Sequence, residues 1–171
     1  EQPALQDRAA AEARTAIAGG ADDAGLPDRL PLLRRIVEES MRLYPPVPRF
    51  DRQAVGPDRL GEHEVAPGDI ISIWPWLLHR HQRLWDEPDA FLPDRWIEGK
   101  TERHRFQYLP FGGGPRVCVG MRFAMAEALT VLAHWLSSWR FAPVAGREVR
   151  PSGMVTLRPA GGLPLRVSGR E

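Results

Sequence analysis

Apolar residues recur at helical spacing in three stretches of the chain. Leu5 to Ile17 is rich in alanine with scattered charges and predicts a helix, which Gly19 and Gly20 end. Ala21 to Pro27 has the composition of a linker, and Asp28 stands where a helix N-cap belongs. Leu30, Leu33, Ile36, Val37, Met41 and Leu43 then mark one buried face of a second helix, over Arg29 to Leu43. Pro45 and Pro46 stop it, because proline lacks the next backbone donor and restricts its predecessor. Gly120 to Ser138 is the strongest helical stretch, with Phe123, Ala124, Ala126, Ala128, Leu129, Val131, Leu132 and Leu136.

Between these helices the pattern shortens. Arg49 to Val55 and the run Ile70, Ile71, Ile73, Trp74 predict strands, with turns at Pro57-Asp58 and Pro67-Gly68. Trp76 to His81 predicts a short helix. Leu84 to Gly113 carries Pro88, Pro93 and Pro110 and little periodicity, so it predicts a long loop. Its aromatic residues, Trp85, Phe91, Trp96, Phe106, Tyr108 and Phe111, predict that the loop is packed. The tail after Trp139 reads as short strands around Gly153, Pro159 and Gly161-Gly162. Trp74, Trp76, Trp85, Trp135 and Trp139 read as core. No repeat or convincing linker divides the chain.

Composition narrows the function classes. Apolar residues make up 43% and charged residues 26% of 171 positions, which excludes disorder as a description of the whole. A formal charge of +1 excludes bulk attraction to nucleic acid, so no nucleic-acid partner is expected. The single cysteine, Cys118, excludes an intramolecular disulfide and a multi-cysteine zinc site. No apolar run approaches the roughly 18 residues that span a bilayer. The start, Glu1-Gln2-Pro3-Ala4, lacks the basic and apolar regions of a signal peptide and reads like the middle of a protein. Only Lys100 among the 23 basic residues is lysine, a bias that points to a GC-rich bacterial source.

The candidate chemistry lies in Pro110 to Gly120. Gly112, Gly113 and Gly114 free the backbone to turn tightly, Pro115 stiffens the turn, and Cys118 stands at the start of the long helix. A thiol so placed is favoured as thiolate by the helix dipole, and loop N–H groups can tune the sulfur. Three readings compete for a lone cysteine. It can be a small buried apolar residue. It can be a nucleophile beside a histidine, with His79, His104 and His134 as candidates, though none lies in a recognisable nucleophile motif. It can be the thiolate ligand of a haem iron.

The spacing Phe-x-x-Gly-x-Arg-x-Cys-x-Gly is met by Phe111, Gly114, Arg116, Cys118 and Gly120, and resembles the cysteine loop of the cytochrome P450 family. Two weaker matches follow the family's order. Glu39-Ser40-Met41-Arg42, followed by Leu43-Tyr44-Pro45-Pro46, resembles the Glu-x-x-Arg of the K helix. Phe91 to Trp96 resembles a Pro-x-Arg-Phe type segment, with Asp94 and Trp96 as variants.

The resemblance implies a mainly α fold with small β-sheets, the C-terminal portion of the cytochrome P450 fold. Residues 1–171 would run from the J helix to the C-terminus, without the I helix that carries the acid–threonine pair for oxygen activation. No catalytic residue is therefore identifiable here. It implies haem b (iron protoporphyrin IX) as cofactor, with Cys118 as axial iron ligand, Arg116 on a propionate and Phe111 shielding the sulfur. Gly112, Gly114 and Gly120 would shape the haem-binding loop, and Arg52 aligns with a position that contacts a propionate. Glu39, Arg42 and Arg95 would form a buried structural triad.

The implied activity is a monooxygenase inserting one oxygen atom of O2 into a small apolar organic substrate. Val47 to Phe50 and Gly153 to Val155 fall where relatives line the substrate pocket. Electrons would come from a ferredoxin or flavoprotein reductase, docking on a basic side made by Arg103, Arg105 and Arg122. A haem-thiolate isomerase or peroxygenase, and a truncated non-catalytic fragment without haem, are the alternatives; a cysteine hydrolase is a distant further one. The isolated chain is expected to be inactive. The expected location is the cytoplasm of a bacterium, and any membrane anchor would lie in the part upstream.

Overall fold

The computed structural model describes residues 2–20, 25–100, 102–153 and 155–170. Among the described residues there are four α-helices: α1 (Pro3–Ala18), α2 (Pro31–Leu43), α3 (Pro75–Leu78) and α4 (Met121–Ser138). The same residues hold eight short strands, which pair into four antiparallel two-stranded sheets. β1 (Phe50–Gln53) pairs with β4 (Ile70–Ile73), and β2 (Asp58–Leu60) with β3 (His63–Val65). β5 (Trp139–Pro143) pairs with β8 (Leu165–Gly169), and β6 (Pro151–Gly153) with β7 (Leu157–Pro159). This is the mainly α architecture with small sheets that the resemblance implies. No helix among the described residues is long and apolar enough to cross a membrane.

The alanines of α1 decide how it packs. Ala9, Ala13 and Ala16 are buried together with Leu129 and Ala133 of α4. The small side chains of α1 and Ala133 let the two backbones approach closely, and Leu129 fills the space beside them. Leu26, Leu30, Leu32, Leu33 and Val37 complete this core from the second helical region. α1 is also tied to the C-terminal hairpin. The Gln6 side chain donates to the Phe141 carbonyl at 2.9 Å and accepts the Phe141 N–H at 2.8 Å, as a strand neighbour would. Asp7 takes both Arg140, at 2.6 Å, and Arg170, at 2.7 Å.

The start of α2 departs from the expectation. Asp28 is not its N-cap, and the helix begins at Pro31 rather than Arg29. Leu26–Arg29 forms a separate 3-10 turn instead, anchored by the buried side chains of Leu26 and Leu30. Pro31 fits the first helical position, where its missing N–H costs nothing. Leu30 has no side chain able to cap, so α1 supplies one. The Glu12 carboxylate accepts the N–H groups of Leu32 at 2.8 Å and Leu33 at 2.9 Å, at the positive end of the α2 dipole. Of the linker expected over Ala21 to Pro27, residues 21–24 lie outside the described residues.

The tryptophans need a second correction. Of the five read as core, only Trp85 is buried, while Trp74, Trp135 and Trp139 are exposed and Trp76 is half-buried. Arginines use these faces: the Arg49 guanidinium lies 5.3 Å from the Trp74 ring centroid and that of Arg80 lies 4.3 Å from Trp76. α4 is apolar nearly all round, yet only Leu129 and Ala133 are fully buried, and Phe123, Val131 and Trp135 lie exposed.

Replacing the Glu12 cap tests this entry to α2. Glu12→Ala should cost about 1–2 kcal/mol in urea unfolding, and Glu12→Gln, which keeps an acceptor oxygen, should cost less. An unchanged midpoint in the alanine variant would show that α2 needs no cap from α1.

Candidate functional site

Glu39 and Arg42 lie one helical turn apart on the buried face of α2, and neither side chain has any exposed surface. Their ion pair is bidentate, with Arg42 Nε donating to Glu39 Oε2 and Arg42 Nη2 to Oε1, both at 2.9 Å. Arg95 Nε adds a third contact to Glu39 Oε1 at 3.0 Å. The structure thus brings the three residues of the expected triad together.

Two further donors complete the carboxylate. The Leu92 N–H donates to Oε1 at 2.9 Å and the Trp96 indole N–H to Oε2 at 2.9 Å. The segment Pro93–Trp96 is a 3-10 turn, which aims Arg95 and Trp96 at the same carboxylate. The sequence reading took Trp96 as a mere variant of an aromatic position; only its indole N–H, a donor that must be paired when buried, signalled more.

Arg42 is equally well met. Beyond Glu39, its Nη1 donates to the carbonyls of His79 at 2.8 Å and Pro88 at 2.6 Å, and its Nη2 to that of Ala90 at 2.9 Å. Glu87 just before them has a positive φ of 45°, uncommon for a residue with a side chain, and turns the chain so that Pro88 and Ala90 face the cation.

Burial would raise the Glu39 pKa, but the hydrogen bonds from Arg42, Leu92 and Trp96, with the Arg42 charge, outweigh it and hold the carboxyl below its ordinary value of 4.5. Buried His79 moves the opposite way in charge. Burial, with Arg42 and Arg80 nearby, lowers it from 6.5 to about 4, although the backbone of Arg42 and Met41 favours the proton.

An aromatic cluster links this anchor to the cysteine loop. Tyr108 packs on Trp96 at 4.4 Å between ring centroids and on His79 at 5.1 Å, and its hydroxyl donates to the Glu38 carbonyl at 2.9 Å. The His79 Nε2 accepts the Leu109 N–H at 2.8 Å. Gln107 is also pinned, its side-chain amide donating to the Leu84 carbonyl. The long loop is therefore packed, as its aromatic content predicts.

The cysteine loop turns on two glycines with left-handed backbone, Gly112 at φ 74° and Gly114 at φ 67°, a conformation that residues with a Cβ rarely adopt. The Cys118 N–H donates back to the Phe111 carbonyl at 2.9 Å, closing the loop, and Gly114–Arg116 forms a 3-10 turn inside it. α4 begins only at Met121, with Gly120 as its N-cap, so Cys118 precedes the helix rather than opening it. The Cys118 thiol is exposed, and so are its neighbours Val117 and Val119 and the Arg116 side chain. Phe111 and Gly112 line a cleft of about 650 Å³ behind the loop, with Met41, Tyr108, Met121 and Met125.

The remaining candidates are placed differently. Arg52 lies on β1, its guanidinium 4.9 Å from the Phe50 ring centroid and bonded to the Asp51 carbonyl at 2.9 Å. Segments 47–50 and 153–155 touch at one point, where a Cβ at Gly153 would stand 3.5 Å from Pro48 Cγ; just outside them the Leu157 N–H donates to the Pro46 carbonyl at 2.8 Å. Met154 lies outside the described residues. Arg103 is not a free surface cation. It donates to the Arg95 carbonyl at 2.7 Å and covers Trp96, 4.3 Å from the ring centroid.

The sequence profile described as Cytochrome P450 matches residues 1–163. The chain belongs to the cytochrome P450 family. It is 39% identical over 140 residues to cyclooctatin synthase from Streptomyces melanosporofaciens, covering 81% of this chain and 30% of that protein. Cytochrome P450 714C3 from Oryza sativa subsp. japonica is 36% identical over 170 residues, 97% of this chain and 33% of that protein. The crystal structure of the cytochrome P450DA heme domain superposes with a TM-score of 0.89 at 29% identity, over 99% of this chain and 38% of that one. The chain thus spans about a third of the length of the P450 relatives it matches. Relatives in a Streptomyces, rice and Drosophila melanogaster assign no source.

The anchor predicts a pH dependence. Glu39 is depressed, so its contribution is complete above its unfolded value and is lost as pH falls through the folded one, below 4.5. His79 is a base buried neutral, so the unfolded chain binds the extra proton between about 4 and 6.5 and stability rises with pH across that window. Unfolding free energy should fall by on the order of 3 kcal/mol from pH 7 to 4 through His79 alone, and His79→Gln should remove that slope. Glu39→Gln, which leaves buried Arg42 uncompensated, should cost about 3–5 kcal/mol at neutral pH. A loss below about 1 kcal/mol, on the scale of an exposed pair, would refute the buried-pair reading.

Proposed function

We propose that this chain is the C-terminal part of a haem-thiolate monooxygenase, from the J helix to the C-terminus, with Cys118 as the axial ligand of haem b. The observation that carries the reading is the closed cysteine loop. Its thiol is exposed and flanked by the exposed apolar side chains of Val117 and Val119, which fits the flat apolar face of a porphyrin. Arg116, exposed in the same loop, would offer its guanidinium to a propionate, and Gly112, Gly114 and Gly120 would shape the loop backbone that holds the haem. Phe111 holds the cysteine through its carbonyl.

When bound, haem supplies the chemistry that places one oxygen atom of O2 into a substrate, and a thiolate ligand favours O–O cleavage. This chain's part is to hold one sulfur at fixed height. The loop does so through the Cys118 N–H bond to Phe111, and Glu39, Arg42 and Arg95 hold the segment before it. Segments 47–50 and 153–155, which touch at Pro48 and Gly153, are the candidate substrate contacts. Their Val47 and Val155 side chains are exposed and apolar, which suits an apolar organic substrate. Arg52, turned onto Phe50, reaches a propionate only by leaving that ring. The exposed face of α4, with Phe123, Val131 and Trp135, is the seat of further helices of the complete domain.

In the full-length protein, Cys118→Ser should abolish both the thiolate-type carbon monoxide difference spectrum and turnover with O2 and a reductant. Survival of that spectrum would overturn the ligand assignment. The isolated chain should fail to hold haem stoichiometrically; a stable stoichiometric complex would remove the need for a missing half. For the electron donor, a ferredoxin or flavoprotein reductase, Arg105 and Arg122 are the exposed cations beside the loop. Arg105→Glu with Arg122→Glu should slow iron reduction about tenfold at low ionic strength, whereas Arg103→Glu should chiefly destabilise. Unchanged reduction rates in the double variant would exclude docking there.

A further inference from the structure

We propose that His79 is a positioning residue for the cysteine loop, a neutral hydrogen-bond acceptor that fixes the Leu109 amide. Its purpose rests on the haem-thiolate reading of Cys118, while its geometry stands apart from it. His79 ends α3 and has no exposed surface. Its carbonyl accepts Arg42 Nη1 at 2.8 Å, so its backbone belongs to the buried anchor. Its ring belongs to the loop side, where Nε2 accepts the Leu109 N–H at 2.8 Å. One residue therefore joins the two.

Leu109 is well placed to pass that constraint on. Its carbonyl accepts the Gly112 N–H at 3.2 Å, and its side chain lies 3.2 Å from where a Cβ on Gly113 would stand. Between them Phe111 accepts the Cys118 N–H. The Leu109 peptide is thus the entry point of the turn that closes on the cysteine.

The ring chemistry argues for function over packing. An N–H aimed at Nε2 requires the ring proton on Nδ1. Nδ1 is buried and carries its proton toward the backbone of Arg42 and Met41, which favours it without closing a full hydrogen bond. A phenylalanine would fill the same space between Trp85, at 6.4 Å, and Tyr108, at 5.1 Å, without burying two ring nitrogens. What histidine adds is the acceptor for Leu109. Burial, with the nearby Arg42 and Arg80 cations, disfavours a second ring proton, which would destroy that acceptor.

The test compares full-length protein carrying His79→Phe, His79→Asn and His79→Gln. Only glutamine can place an oxygen near the position of Nε2. Amide hydrogen exchange at Leu109 should quicken about tenfold in the phenylalanine and asparagine variants and return close to the wild-type rate in the glutamine variant. Leu92, held by Glu39, serves as the internal reference and should not change. In haem-loaded protein, the thiolate-type fraction of the carbon monoxide spectrum should fall in the first two variants and recover in the third. The proposal is overturned if Leu109 exchanges at the wild-type rate in His79→Phe. Should that variant not fold, equal exchange in the asparagine and glutamine variants overturns it instead. A wild type without any thiolate-type spectrum would sink the haem reading and leave Leu109 exchange to decide the role of His79.

Discussion

A guanidinium with no exposed surface has to find a partner for every N–H, and Arg42 does. Its five donors meet both oxygens of Glu39 and the carbonyls of His79, Pro88 and Ala90. Taking two charges out of water costs several kcal/mol per ion, and only complete hydrogen bonding offsets it. The rest of the structure follows from that demand. The chain from 79 to 96 has no regular structure beyond short turns, yet its path is set, because three of its carbonyls, one amide and two side chains must converge on one turn of α2.

An apolar pair of similar volume would give equal or greater stability at that point. It would not place three carbonyls. A buried ion network differs from a greasy contact in specifying position and direction, and the ligand role proposed for the cysteine loop needs both. The aromatic layer extends the same order outward. Trp96 bonds to Glu39 and packs, tilted by 53°, on Tyr108, which in turn bonds to α2 through the Glu38 carbonyl. Beyond Tyr108 the chain enters the glycine turn already held on three sides.

Much of this was legible in the residues. The three long helices follow from apolar periodicity, and the cysteine loop from its glycine and cysteine spacing. Glu39, Arg42 and Arg95 were found only through resemblance, since an i,i+3 pair reads equally well as an exposed ion pair. What could not be read was every contact made by the backbone. Carbonyls carry no sequence signal, so the roles of residues 88 and 90 stayed hidden. The Glu12 cap was missed for a related reason: the capping side chain comes from another helix, whereas cap rules look within the same segment. Trp74, Trp135 and Trp139 were misplaced because burial was inferred from residue type; Trp74 lies exposed beneath the Arg49 guanidinium and Trp135 packs only one side, on Phe141.

The distribution of satisfied and unsatisfied surface is uneven, and the unevenness has a meaning. Every partner of Glu39 and Arg42 lies between residues 39 and 96, so the support of the cysteine loop is complete within this chain. The thiol, Val117, Val119, Phe123, Val131 and Trp135 are left open. The polar needs of Glu39 and Arg42 are met internally, and apolar needs are left for something else to cover. A sulfur held by a self-contained hydrogen-bond scaffold keeps its position whether or not the apolar surface in front of it is filled. In the proposed monooxygenase this separates two tasks. The ligand side is preorganised by directional bonds, which would cost most to remake on binding. The cofactor and the opposing helices add non-directional burial, which tolerates being added last.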